Sequence, residues 1–320
     1  MSARVPNNFA ITGVGGYIAP RHLRAIRDTG NRLLAAADPK DSVGVLDQFG
    51  FDVRFFTEME RFDRHLEKLR RGNEEQRVHY LTVCSPNYLH DAHCRLGLRV
   101  GADVICEKPL VINPWNLDAL AEMESETGHR IYNVLQLRVH PMLIELRNRI
   151  MSERPGRPHE VNLTYITSRG NWYDVSWKGV EDKSGGIATN IGIHFFDMLM
   201  WLFGPVEDAR VHLREPRKMA GFLALERARV RWLLSVDSRD LPYVAAPGKK
   251  STYRSVTVDG TEVEFSDGFA DLHTRVYENI LSGQGHGVAH ARPSIELVHR
   301  LRGLELSPVD DTAHAKIKGS

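Results

Sequence analysis

Short apolar runs alternate with longer mixed segments along the first part of the chain. "FAITGVG", "LLAAAD", "DVRFFT", "VHYLTVCS", "ADVICEKP" and "RIYNVLQL" read as strands. They are almost continuously apolar, as expected of strands covered on both faces of a parallel sheet. Between them lie "PRHLRAIRDTG", "SVGVLDQFG", "EMERFDRHLEKLRRG", "NYLHDAHCRLGLRVG" and "NPWNLDALAEMESETG". Each carries apolar residues at helical spacing, and most end in glycine, a usual helix stop. Alternation of this kind predicts an α/β class with a doubly wound parallel sheet.

The pattern changes after about Leu137. "HPMLIELRNRIMSE" predicts a helix leading out. "HEVNLTYITSRG", "DARVHLREPRK", "MAGFLALERARVRWLLSVDS" and "YRSVTVDGTEVEFSD" then favour β-branched and aromatic residues with alternating polarity, and "VDGTE" holds an Asp-Gly hairpin signal. This predicts an α+β domain with an open, mostly antiparallel sheet. A helix is expected from about Ile187 to Phe203, and two more near Asp271–Ser282 and Pro293–Leu304. The tail after Pro308 reads as polar and loose. The domains are expected at 1–135 and 136–320, with the C-terminal helices able to pack back on the first.

Composition narrows the function without naming it. Lysine and arginine number 42 against 41 aspartates and glutamates, a formal net charge of +1. No overall field draws nucleic acid or a membrane surface, so an anionic partner must be held by local cations. "KLRRGNEEQR" is read as a solvated helix end and turn. The three cysteines (Cys84, Cys94, Cys106) are too few and too irregular for a disulfide framework, which fits a reducing cytoplasm. They show no CxxC spacing, so no metal is assigned. Met1 to Asn8 lacks an apolar signal core. The apolar stretch "IHFFDMLMWLFG" is interrupted by His194 and Asp197 and reads as too short to span a bilayer.

Candidate chemistry gathers where predicted strands end. Gly13, Gly15 and Gly16 lie between the first strand and helix, where glycines permit a tight turn and let backbone N–H groups approach a pyrophosphate. The third fingerprint position is Ile18, so the motif is broken and an ordinary strand–helix turn remains open. The second strand ends in Asp38, placed to accept hydrogen bonds from a ribose diol. A carboxylate there repels a 2′-phosphate and favours NAD over NADP; the other reading is a turn residue before Pro39. Ser85, Pro86 and Asn87 follow the fourth strand, with His90 one turn further. Asn87 is either a ligand or a helix cap, and His93 reads as surface.

"EKP" ends the fifth strand. The residue before proline is pushed toward extended backbone, so Lys108 faces the crevice outside the carboxyl ends of the sheet. Near a cationic nicotinamide its pKa should fall, and it can donate hydrogen bonds to a substrate hydroxyl and stabilise a developing alkoxide. The alternative is a surface ion pair with Glu107. In "GGIATNIGIHFFDML", Asn190 and His194 are four apart and share a helical face. Histidine suits acid–base work near neutrality, although a lone histidine on an apolar helix is more often a core residue.

Together "SPNYLH", "EKPL" and "GGIATNIGIHFFD" resemble the glucose-fructose oxidoreductase/inositol dehydrogenase (Gfo/Idh/MocA) family, over nearly the whole chain. The resemblance implies a Rossmann domain, NAD(P) chemistry on sugar-like alcohols, and oligomers, dimer or tetramer, paired through the second sheet. It implies Lys108 and His194 as the catalytic pair, with their roles interchangeable. Expected cofactor contacts are Gly13, Gly15, Gly16, Tyr17, Ile18, Asp38, Ser85, Asn87, His90, Glu107, Lys108 and Gln136. Many members carry aspartate where this chain has Asn190, which should leave His194 easier to keep neutral. "ATNIGIHFFDMLMWLFG" and "GVGGYIAPRHLRAI" look like the branch that oxidises UDP-N-acetylglucosaminuronic acid at C3 for bacterial surface polysaccharide, the lipopolysaccharide O-antigen. Some of that branch reoxidise NADH with 2-oxoglutarate. For such an anion, Lys108, Arg138, Arg169, Trp172, Tyr173, Lys178, Asn190 and His194 are the expected substrate contacts, with Trp177 in the same loop and Lys249 and Lys250 as a further cationic pair. The alternatives are an inositol or free-sugar dehydrogenase, and a non-catalytic NAD(H) sensor or scaffold.

Overall fold

The computed structural model describes residues 5–41, 43–50, 52–154, 156–243, 251–265 and 271–318. The chain divides into two compact units. One comprises residues 1–136 with 270–292, the other 137–269 with 293–320.

In the first unit the strands are β1 (Asn8–Thr12), β2 (Arg32–Ala37), β3 (Arg54–Phe56), β4 (Tyr80–Val83), β5 (Asp103–Cys106) and β6 (Ile131–Asn133). They form one parallel sheet in the order β3-β2-β1-β4-β5-β6. The order reverses between β1 and β4, and ligands of such sheets bind in the crevice beyond the carboxyl ends there. The helices are α1 (Ala19–Asp28), α2 (Met59–Arg70), α3 (His90–Arg99) and α4 (Trp115–Thr127). Within the described residues of "SVGVLDQFG", 43–50, the expected helix is replaced by a single 3-10 turn over Asp47–Phe49. Gly44 breaks the segment, and a stretch this short cannot support nucleation. "KLRRG" does close α2 with exposed charges.

The second unit opens on α5 (Pro141–Ser152), followed by β7 (His159–Thr167). Two short helices that the pattern did not show, α6 (Trp172–Val175) and α7 (Glu181–Ser184), precede a π-helical stretch, Ala188–Gly192, and α8 (Ile193–Phe203). The remaining strands are β8 (Val206–Glu215), β9 (Lys218–Leu225), β10 (Ala228–Ser235), β11 (Thr252–Val258) and β12 (Thr261–Glu262). The sheet order is β12-β11-β7-β10-β9-β8, antiparallel throughout except for the parallel β7–β10 pair. Phe196 of α8 meets the buried Trp232 of β10 at 5.2 Å, edge to face. Residues Glu181–Phe203 together are long and apolar enough to cross a membrane, contrary to the shorter run read from the sequence. Yet 72% of its 18-residue apolar window is buried inside the protein, and left-handed Gly185 and Gly186 interrupt the run.

Two late helices follow, α9 (Leu272–Leu281) and α10 (Val288–Gly303). The last begins before Pro293, which lies inside it rather than at its start. α9 belongs to the first unit, where Tyr277 stacks on Phe9 at 5.8 Å. The tail after Pro308 is not loose. Ala313 and Ile317, four apart, pack with Ile166, Ala220 and Leu233 of the second sheet. His314 bonds Thr164 at 3.0 Å.

Candidate active site

The cofactor end of the first unit is built from the loops after β1, β2, β4 and β5. Gly13 adopts φ +76, and a Cβ there would lie 2.5 Å from the Cys84 carbonyl carbon and Ser85 nitrogen. Only glycine lets the first turn pass so close to the β4 loop. The Gly13 N–H donates to the Ala37 carbonyl at 2.8 Å. Asp38 ends β2 with its carboxylate against this turn: Oδ2 accepts the Gly15 N–H at 3.0 Å and Oδ1 the Lys40 N–H at 2.9 Å. The turn reading of Asp38 is realised, and the carboxylate keeps lone pairs that a ribose diol could use. α1 starts at Ala19 with Pro20 in its first turn; Tyr17 before it is 87% exposed, and Ile18 is half-buried. Ser85 Oγ is buried without a hydrogen-bond partner, an orphan that a bound polar ligand would satisfy. The glycine cradle, Asp38 and this hydroxyl fit a dinucleotide.

The cap positions after β4 fall on Pro86 and Leu89, not on Asn87, which is buried as the first residue of a 3-10 turn. His90 is also buried. Its Nδ1 lies 2.6 Å from the Pro109 carbonyl and its Nε2 2.8 Å from that of Ser85. Burial lowers its pKa, while the two carbonyls act in the opposite direction. This ring fastens the β4 and β5 loops together, which leaves neither nitrogen for the expected cofactor contact. His93 is not a surface residue either: it meets Thr12 Oγ1 at 3.1 Å, and burial lowers its pKa to about 4.

Lys108 follows β5, half-buried, with a cis peptide to Pro109. Glu107 does not pair with it across the surface. The Glu107 carboxylate turns inward, where Oε1 accepts from His22 Nε2 at 2.9 Å and His273 Nε2 at 3.0 Å. Its Oε2 accepts the Lys108 N–H at 3.1 Å. Asn133, buried at the end of β6, donates to the carbonyls of Cys106 and Glu107 at 3.0 and 3.2 Å. Gln136 begins the 3-10 turn that follows. Glu107 is thus a support beneath the loop rather than the expected cofactor contact, because its oxygens are engaged by the protein.

The substrate candidates of the second unit differ in what they already touch. Gly185, at φ +79, passes so close to Thr189 that a Cβ would sit 2.6 Å from that residue's Cβ. The helix then starts as a π turn, carrying Asn190, before becoming α at Ile193. Such turns are frequent at functional sites. Asn190 and His194 are half-buried; the His194 ring meets Tyr165 edge-on at 5.8 Å. Tyr173 is 2% exposed. Burial raises its pKa, and a hydrogen bond from Asn190 acts against that rise. Tyr173 therefore positions Asn190 rather than offering an open stacking surface. Trp172 is 47% exposed, with the Arg169 guanidinium 5.9 Å and the Lys178 ammonium 5.6 Å from its ring. Lys178 also lies 5.3 Å from the Trp177 ring. Arg217, unnoticed in the sequence, holds this loop through Asp174 Oδ2 at 2.7 Å and the Arg169 carbonyl at 2.6 Å. Arg138 is not an available cation: it grips Asp197 with two bonds of 2.9 and 2.7 Å, their side chains 11% and 3% exposed. Lys249 and Lys250 lie outside the described residues.

Two family models match this chain. Residues 7–134 match the oxidoreductase family with an NAD-binding Rossmann fold, and residues 147–306 match that family's C-terminal alpha/beta domain. The chain belongs to the Gfo/Idh/MocA oxidoreductases. Its first unit is the NAD-binding domain of the family. The oxidoreductase is 50% identical to the WlbA (WbpB) dehydrogenase of Thermus thermophilus, over 97% of this chain and 100% of that one, with a TM-score of 0.91. That dehydrogenase is solved with NAD and alpha-ketoglutarate, and with NAD and UDP-GlcNAcA. The WlbA dehydrogenase of Bordetella pertussis, at 20% identity and a TM-score of 0.73 over 96% of this chain and 99% of that one, shares the fold. Among curated relatives, inositol 2-dehydrogenase of Rhizobium meliloti is 27% identical over 61% of this chain, and the match spans 54% of that relative's length.

The His22–Glu107–His273 group had no motif to reveal it. One signal existed: His22 occupies a core position of α1, where Ala19, His22, Leu23 and Ile26 form the buried stripe at helical spacing.

Proposed function

We propose that this oxidoreductase removes hydride from C3 of UDP-N-acetylglucosaminuronic acid, giving the 3-keto nucleotide sugar. The reading is carried by the full-length similarity to a dehydrogenase solved with NAD and UDP-GlcNAcA. The exposed Trp172 ring with Arg169 and Lys178 supports it, since a diphosphate and a base ask for cations beside an aromatic face. Bound NAD supplies the hydride acceptor. His194 takes the proton of the C3 hydroxyl. Lys108 donates a hydrogen bond to the same oxygen and stabilises the charge that develops on it. Asn190, held by Tyr173, orients the sugar or the imidazole. The similarity to a structure holding alpha-ketoglutarate supports 2-oxoglutarate as the oxidant that regenerates NAD. Three buried free cysteines support a cytoplasmic setting, with the product directed to surface polysaccharide such as O-antigen, and a dimer or tetramer is proposed from the family.

The test is substitution of each partner. Lys108→Ala and His194→Ala should each lose turnover by roughly 100- to 10,000-fold, with NAD binding retained. Near-normal turnover in both variants would overturn the assignment.

A further inference from the structure

Glu107 carries a buried charge whose surroundings can be assigned proton by proton. Its Oε1 receives His22 Nε2 and His273 Nε2, and its Oε2 receives the Lys108 N–H. His22 Nδ1 lies 2.9 Å from the Tyr277 hydroxyl, itself 2.9 Å from Thr82 Oγ1. One assignment satisfies every contact. Both imidazoles carry their proton on Nε2 and donate to the carboxylate; His22 Nδ1 accepts from Tyr277, whose oxygen accepts from Thr82. His273 Nδ1 is buried without a partner. That is tolerable for a bare lone pair and costly for an N–H, so the geometry favours the tautomer of His273 with its proton on Nε2 and a neutral ring like that of His22. Burial lowers the His22 pKa, so it is neutral too. Burial by itself would raise the Glu107 carboxyl, but the bonds from His22 and His273 outweigh it and hold the group well below the usual carboxylate range. Burial likewise keeps Cys84, Cys106 and Tyr277 protonated. Arg21, Lys108 and His90 are the other titratable groups facing this region.

Among the described residues this is the one group whose ligand atoms crowd as a metal set would, within 4.8 Å of one another. The 2.9 and 3.0 Å separations are those of N–H···O bonds. The sum is one negative charge with neutral donors, at the carboxyl end of β5, next to the topological switch of the NAD-binding sheet.

We propose that the His22–Glu107–His273 group is a buried anionic support that positions Lys108 and biases the bound cofactor toward its cationic, oxidised form. With the nicotinamide held beside the β5 loop, a fixed anion would lower the energy of NAD⁺, whose ring is cationic, relative to NADH, whose ring is neutral. The field is strong because no counter-charge belongs to the group and little water screens it. The two imidazoles let the carboxylate stay ionised without cancelling its charge.

The proposal rests on the NAD-binding role of this unit, and the test separates the two. Dissociation constants for NAD⁺ and NADH are measured by calorimetry on the wild type, Glu107→Gln and Glu107→Asp. Glu107→Gln removes the charge and keeps the shape. It should weaken NAD⁺ relative to NADH by about tenfold, the low end of what a nearby opposite charge does to an ionisation. Glu107→Asp keeps the charge and should retain the wild-type ratio even if both affinities fall. A merely structural Glu107 would weaken both forms equally, and an unchanged ratio in Glu107→Gln overturns the proposal. If Glu107→Gln does not fold, the triple variant H22L/E107M/H273L removes charge and donors together and must show the same shift in ratio. Wild type that binds neither form would contradict the NAD-binding role instead.

Discussion

Arg138 and Asp197 make the pairing in the second unit whose loss is easiest to weigh. The guanidinium and carboxylate form two parallel bonds of 2.7 and 2.9 Å, and both side chains are nearly withdrawn from water. Asp197→Ala leaves a buried guanidinium without its counter-charge. Breaking a buried pair from one side costs about 3–5 kcal/mol, well above the 1 kcal/mol or less of an exposed pair. Replacing both ends by apolar groups, as in R138M/D197L, avoids the stranded charge and should recover most of the loss. Urea unfolding followed by tryptophan fluorescence suits the measurement, because Trp172, Trp177, Trp201 and Trp232, four of the five tryptophans, lie in this unit. A loss in Asp197→Ala below about 1 kcal/mol, or a double variant no better than the single one, would refute a buried structural pair. It would also return Arg138 to the set of cations available for substrate.

Gly13→Ala places a methyl group 2.5 Å from the Cys84 and Ser85 backbone at φ +76, so NAD binding should be lost and stability should fall by about 1–3 kcal/mol, read by calorimetry and thermal shift. Asp38→Ser removes the carboxylate held by Gly15 and Lys40 and should narrow the preference for NAD over NADP by about tenfold or more, a ratio of dissociation constants that stays fixed if Asp38 only shapes its turn. His93 and His314 are held neutral by burial, with pKa values lowered from 6.5 to about 4. The unfolded chain binds their protons first, so their stabilisation is complete above pH 6.5 and is lost as pH falls toward 4, with an upper limit of about 3 kcal/mol for each. Thermal midpoints that stay flat across that interval would contradict the burial of both rings.

The parallel sheet was legible because its strands are short, apolar and separated by helical segments with clear stops. The second sheet was legible through alternation and the Asp-Gly turn at Asp259–Gly260. What escaped is tertiary. "SVGVLDQFG" has helical spacing, but among its described residues only Leu46 is buried, so periodicity misled there. The tail reads as polar because its two buried anchors, Ala313 and Ile317, are small or isolated in sequence. Lys108, Asp38 and His194 stand out as candidates because strand ends and glycine turns mark them locally. Glu107 and Arg138 were misjudged for the converse reason. Their partners, His273 and Asp197, lie 166 and 59 residues away, and no local pattern shows that a charge is already taken. His22 shows the same limit, since a histidine on a helix stripe looks like core until its carboxylate is seen.

The central claim is hydride transfer from a nucleotide-sugar acid to NAD in this protein. The most direct measurement is the near-ultraviolet absorbance of reduced nicotinamide after UDP-N-acetylglucosaminuronate is added to NAD-loaded enzyme. Absorbance should rise to a bound-cofactor equivalent, fall when 2-oxoglutarate is supplied, and remain flat in Lys108→Ala and His194→Ala. No rise with the UDP-sugar acid, alongside a clear rise with free myo-inositol, would contradict it.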